Sequence, residues 1–131
     1  MNANLPSVWP ILLTDSVTTD AHTRQLQLKL PAELLYFQGH FEGFPILPGV
    51  VQTHWAAHYG QPLIAQSLAE HGYLFAGVEQ LKFHQVLRPD DMCSLHLQRH
   101  DKSNSCYLTF QYSSPKGIHS EGRLVWKLPV A

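Results

Sequence analysis

The chain has 131 residues, 44% hydrophobic and 15% charged, with 9 Lys and Arg against 10 Asp and Glu. That length points to a single domain over 1–131 without room for separate cofactor and substrate domains, and the composition is too apolar for a disordered tail. A net charge of -1 excludes a global positive field that would draw the chain to nucleic acid or to an anionic membrane.

The two cysteines, Cys93 and Cys106, lack CxxC or zinc-knuckle spacing, so neither a disulfide framework nor a structural zinc site is indicated and a reducing cytoplasm is the default. Residues 1–10 lack a basic start followed by an apolar run, and no apolar stretch reaches membrane-spanning length; a soluble cytoplasmic protein is expected. The 9 histidines are scattered from His22 to His119, so each is judged by its surroundings.

In chain order, Leu26, Leu28 and Leu30 alternate with Gln25, Gln27 and Lys29, which predicts a strand over 23–30 with one face on a core. Pro31 ends it, and Gly39, Gly43, Pro45 and Pro48 make 32–48 a loop with room for one helical turn near 33–37. From Gly49 to about Ser67 the composition permits a helix, apolar on most faces and therefore buried, with Gly60 and Pro62 as its first breakers. Strands follow at Leu74–Phe83, Met92–His100, Cys106–Ser113 and His119–Leu128. Turn signals at 89–91, 102–104 and 115–117 separate them, so three successive antiparallel hairpins are expected. The sum is an α+β arrangement, an antiparallel sheet wrapped around one central helix.

The stretch Gly39-His40-Phe41-Glu42-Gly43-Phe44-Pro45-Ile46-Leu47-Pro48-Gly49-Val50-Val51 carries the chemistry. It places a histidine in a loop stiffened by glycine and proline that feeds directly into a helix N-terminus, where unpaired N–H groups and the helix dipole favour developing negative charge. That combination suits a general base beside an oxyanion site. Gly49 has no side chain to hinder a ligand oxygen approaching its N–H, and Pro48 lacks an N–H where the helix would orphan one. Outside such a motif, the same breakers would be a tight connection and His40 a packed loop histidine.

This motif resembles the signature of the β-hydroxyacyl-[acyl carrier protein] dehydratases of the hot dog fold. The likeness extends to Pro10–Asp15, similar to that family's first strand, and to Gly77–Phe83 and Val86–Asp91, similar to its strand and turn after the helix. The resemblance implies a long helix wrapped by an antiparallel sheet and a homodimer, or higher homo-oligomer, with active sites at the subunit interface. It also implies elimination of water from a β-hydroxyacyl thioester on the phosphopantetheine of acyl carrier protein or coenzyme A. No other cofactor, no metal and no nucleic acid or membrane partner is implied. His40 would be the catalytic histidine and the Gly49 N–H would polarise the thioester carbonyl; Phe41, Phe44, Pro48, Val50 and Trp55 would contact substrate.

There are departures. The family places a carboxylate on the helix five residues after the glycine, and here His54 stands there; Glu42 replaces a usual proline and Trp55 a usual small residue. An imidazole can still donate a proton to a leaving hydroxyl, so His54 can take the carboxylate's part. The pattern is also similar to a divergent branch associated with aryl polyene pathways. A hot dog thioesterase is the rival enzyme, and a non-catalytic acyl-carrier-binding subunit of a heteromeric dehydratase is the rival without chemistry.

Weaker features are read structurally. His54 and His58 share a helix face without a third metal ligand. Tyr59, with Phe44 and Trp55, is either tunnel lining or core. Lys82, Arg88, Arg99, Arg123 and Lys127 are either a patch for an acidic carrier protein or a solvated face. Both cysteines are expected to be buried small hydrophobes rather than nucleophiles.

Overall fold

A computed structural model describes residues 7–38 and 43–129. The elements are β1 (Ile11–Val17), β2 (Thr23–Lys29), a 3-10 turn (Leu35–Phe37), α1 (Gly49–His71), β3 (Leu74–Phe83), β4 (Met92–Asp101), β5 (Ser105–Ser114) and β6 (Gly117–Lys127). The strands form one antiparallel sheet in the order β1-β2-β4-β5-β6-β3, and α1 lies across β2, β4 and β5. This is the helix-on-sheet arrangement expected from the motif.

The leucine alternation of β2 sets the register of the core. Leu26 faces Leu95 across the β2–β4 pair, Leu95 faces Tyr112 on β5, and Tyr112 faces Ser120 on β6. One step along, Arg24, Leu97, Phe110 and Gly122 form the next row. A one-residue slip would turn every one of these side chains to the other face, so burial of the leucines locks the pairing. Cys93 and Cys106 are buried in this layer, and burial pushes the Cys93 thiol up to about 12.

The structure corrects three expectations. First, α1 does not stop near Ser67; it runs through Gly60 and Pro62 to His71 and ends at Gly72, whose left-handed backbone (φ 68°) closes the helix by donating its N–H to Leu68 O at 2.9 Å. Pro62 removes the N–H that would reach His58 O. Two sheet arginines supply donors nearby, Arg24 Nη1 to Tyr59 O at 2.7 Å and Arg99 Nη1 to Leu63 O at 3.0 Å. Gly60 lets the helix approach β5, because a Cβ there would overlap Leu108. Second, β3 and β4 do not form a hairpin. β3 crosses to the far edge and pairs with β6, while the 84–91 segment carries the chain back past the end of the sheet. Third, α1 is not buried all round. Val51, Trp55, Ala56, Leu63 and Ile64 face the sheet, but Val50, His54 and His58 are exposed on the opposite side.

Arg24 also grips Asp15 with two bonds of 2.9 and 2.7 Å, and these hold the Asp15 carboxyl below its ordinary range. Because the folded value lies below the unfolded one, the contribution is present above the unfolded pKa of about 3.9 and disappears as pH falls through the folded value. Asp15 is exposed, so the effect is small. Asp15→Asn is therefore expected to lower Tm slightly at neutral pH and to converge with the parent chain once pH falls below the folded Asp15 value, as followed by thermal melts across pH.

Candidate active site at the N-terminus of the helix

Pro48, in extended backbone (φ -60°, ψ 145°), is the N-cap of α1 and carries no side-chain cap bond. Pro48 O accepts the N–H groups of Val51 at 3.1 Å and Gln52 at 3.2 Å. Among the described residues, the N–H groups of Gly49 and Val50 have no acceptor. This is the anion-favouring helix end that the motif predicts.

The approach to it is clamped. Leu47 N–H donates to Leu87 O at 2.8 Å, tying the motif loop to the segment after β3. Gly43 sits at φ 78°, a left-handed conformation that glycine adopts without strain. The Phe83 ring lies against Gly49 so closely that a Cβ at position 49 would overlap it. Between these pieces is a pocket of about 240 Å³ walled by Ile46, Leu47, Gly49, Gln52, Phe83 and Val86, with His84 and Gln85 at its side. Its wall is held by His119, a buried side chain whose Nδ1–H donates to Val86 O at 3.2 Å and whose Nε2 meets Ser114 Oγ at 2.7 Å. Two other depressions, of about 490 Å³ beside Gln66, Glu70 and Arg99 and of about 270 Å³ on the sheet's outer face around His100 and Arg123, do not include Gly49.

His40 and Phe41 lie outside the described residues, as does Glu42. Gly49 and Pro48 stand where the motif places them. His54 is exposed, does not wall the Gly49 pocket, and stacks on Trp9 with ring centroids 5.7 Å apart; Trp9 also lies 4.3 Å from His58. Val50 is 77% exposed on the same outward face. Phe44 is exposed beneath the Arg88 guanidinium at 4.5 Å. Trp55 is fully buried in the core and donates its indole N–H to Val8 O at 3.1 Å, and Tyr59 is buried beside Arg24.

The five basic residues do not converge. Only Arg88 sits beside the motif loop. Arg99 is held under the helix, Arg123 lies over Tyr107 at 4.7 Å on the outer face, and Lys82 and Lys127 are exposed near opposite ends of the β3–β6 pair. Among the described residues no group of three or more metal-ligating side chains is gathered, and no helix is long and apolar enough to cross a membrane.

Sequence reasoning missed Gln52, Ser120 and Tyr112. Gln52 is only 3% exposed and donates from Nε2 to Leu47 O at 3.1 Å, while its Oε1 accepts Ser120 Oγ–H at 2.6 Å. Its main-chain carbonyl accepts the Tyr112 hydroxyl at 2.7 Å, and burial raises the Tyr112 pKa well above the usual phenol value, which keeps that donor protonated. The available signal was a glutamine inside the apolar first turn of a helix.

Comparison with known proteins agrees with this geometry. The ApeI-like family, described as ApeI dehydratase, matches residues 16–123. A 3-hydroxyacyl-[acyl-carrier-protein] dehydratase FabZ from Chloroflexus aggregans is 40% identical over 101 residues, covering 73% of this chain and 69% of the relative. Its counterpart from Lawsonia intracellularis is 34% identical over 101 residues, covering 72% and 66%. A chain of the dehydratase heterocomplex ApeI:P from Xenorhabdus doucetiae superposes with a TM-score of 0.73 at 28% identity, covering 92% of this chain and 99% of that one. A hypothetical thioesterase from Streptococcus pneumoniae, at a TM-score of 0.64 and 6% identity, shares the fold alone. With the family match spanning most of the sequence and Pro48-Gly49 at the helix entry, the chain belongs to the ApeI-like dehydratase family and has the hot dog fold.

Proposed function

We propose that the protein eliminates water from a β-hydroxyacyl thioester carried on the phosphopantetheine of acyl carrier protein, giving the trans-2-enoyl thioester. The observation that carries this reading is the uncapped Gly49 end of α1 opening on an apolar pocket, in a chain of a dehydratase family. His40 takes the proton from C2, and the Gly49 N–H stabilises the charge that develops on the thioester oxygen. The electron pair forms the C2–C3 double bond as the C3–O bond breaks, and the hydroxyl leaves with a proton from His54 as water. The reaction is redox-neutral and calls for no further cofactor. Arg88, beside the mouth of the motif loop, is the basic residue best placed to meet the acidic carrier.

Within one chain His54 does not reach the Gly49 pocket, so the complete site needs a second subunit. β3 offers the means: it is an edge strand with Leu74, Phe75, Val78, Leu81 and Phe83 exposed, and an open apolar edge seeks a partner. A homodimer is expected, and light scattering at micromolar concentration checks it; a monomeric mass with full activity would refute the two-subunit site. Two observations favour a second reading, a heteromer in which the other chain supplies a carboxylate. His54 stands in the carboxylate's place, and one structural neighbour is part of a heterocomplex.

The pure protein, incubated with β-hydroxyacyl carrier proteins, is expected to give products lighter by one water in mass spectrometry. Release of free acid would support a thioesterase, and no reaction until a second chain is added would support the heteromer. In the homodimer, His54→Gln should lower kcat by about 10²-fold or more, and His54→Glu should retain part of the activity because a carboxylic acid can also donate. Unchanged turnover in His54→Gln would make His54 a packing residue against Trp9.

A further inference from the structure

The geometry points to Gln52 as the positioning residue that aims the Gly49 N–H at the substrate carbonyl. This inference rests on the dehydratase reading for its purpose, but its contacts belong to the chain itself. The peptide that carries the Gly49 N–H also carries Pro48 O, and the two point in opposite directions across the trans amide. Whatever fixes that oxygen therefore aims that hydrogen.

Gln52 holds two consecutive carbonyls of the turn. Its main-chain N–H, beside that of Val51 at 3.1 Å, reaches Pro48 O at 3.2 Å, and its side-chain Nε2 reaches Leu47 O at 3.1 Å and so fixes the peptide that leads into Pro48. Leu47 O can only accept, so the amide NH2 must face it and Oε1 must face Ser120. The Ser120 hydroxyl at 2.6 Å and the Tyr112 hydroxyl on the Gln52 carbonyl at 2.7 Å then tie the residue to β6 and β5. The helix end is thus bolted to the rigid sheet through a buried glutamine. A conventional Ser, Thr, Asp or Asn cap would instead place an acceptor at this helix end, directed at the N–H groups of its first turn. Here the N-cap is a proline and the stabilising side chain comes from inside the helix, which leaves the Gly49 N–H for a ligand.

Donor placement matters because an oxyanion donor acts only within hydrogen-bond distance of the developing charge, and small misplacements at a reacting centre cost about 10²-fold in rate. Gln52→Leu keeps the bulk of the side chain and deletes its bonds to Leu47 O and Ser120 Oγ, while the main-chain bonds to Pro48 O and Tyr112 remain. The expected result is a fall in kcat of about 10- to 100-fold with little change in KM. Gln52→Glu, where its carboxyl is ionised, sets a negative oxygen against Leu47 O and should be at least as slow. Toward acid, where the buried carboxyl regains its proton and can donate, it should recover relative to the parent chain.

The readout independent of turnover is the infrared carbonyl stretch of a bound saturated acyl-pantetheine thioester with an isotope-labelled carbonyl. Its red shift on the parent protein should be lost in Gln52→Leu. If Gln52→Leu fails to fold, Ser120→Ala, which frees the amide without removing it, should reduce both the red shift and kcat severalfold. An unaltered red shift in folded Gln52→Leu, or its absence in the parent protein, overturns the inference. Failure of the parent protein to dehydrate any β-hydroxyacyl thioester overturns the functional reading instead, and the infrared comparison then still decides whether Gln52 aims the Gly49 N–H.

Discussion

His40→Ala is expected to lower kcat for dehydration of a β-hydroxyacyl carrier-protein thioester by about 10²- to 10⁴-fold, the usual contribution of a positioned general base. Within the motif, Glu42 is the one other side chain able to take a proton, whereas Gly49 offers only a donor and Phe44 is an exposed ring under Arg88. Tm should stay close to that of the parent chain. The hydrophobic core of the described residues is assembled from β2, α1, β4, β5 and β6 with Leu30, Leu34, Phe37, Leu47, Tyr73 and Leu87 around them. Steady-state kinetics with a thermal melt checks both halves. Near-normal turnover would remove His40 from the reaction, and a large loss of Tm would make it a structural residue.

Trp55→Ala is expected to destabilise the fold by about 3–5 kcal/mol, the range for deleting a buried large aromatic. Against a typical total of about 5–15 kcal/mol, that is a large share. Trp55 is fully buried, packs edge-on to Tyr36 and holds the chain before β1 through Val8 O. Trp55→Phe, which keeps a ring but loses the indole N–H, should cost less. Denaturant unfolding measures both. The comparison also separates core from tunnel: a residue lining the acyl tunnel would change KM and chain-length preference with little effect on stability, whereas Trp55 should move stability first.

Local patterns carried much of the fold. The leucine alternation marks β2 because a half-buried strand must repeat every second residue, and β3 to β6 fall within two residues of the stretches rich in β-branched and aromatic side chains. Pro48-Gly49 marks the start of α1 because proline suits a helix entry and a Cβ at position 49 would overlap the Phe83 ring. The other end of α1 was not legible. Gly60 and Pro62 are ordinary breakers, and only the close approach of Gly60 to Leu108 on β5, distant in sequence, shows why a glycine stands inside a continuous helix.

By itself the sequence determined the α+β class, the position of the helix entry and the motif that marks a dehydratase, because these depend on residue type and near-neighbour spacing. Only the tertiary structure decided that β3 leaves its neighbour β4 to pair with β6, since the choice of strand partner depends on which edge remains open once the β4-β5-β6 meander has formed. It alone decided that Trp55 is core while His54 stays on an open helix face, because both lie in the same helix and which face is buried depends on how α1 docks on the sheet. And it alone brought Gln52, Ser120 and Tyr112 together, since hydrogen bonds between residues 60 or more positions apart leave no trace in local pattern.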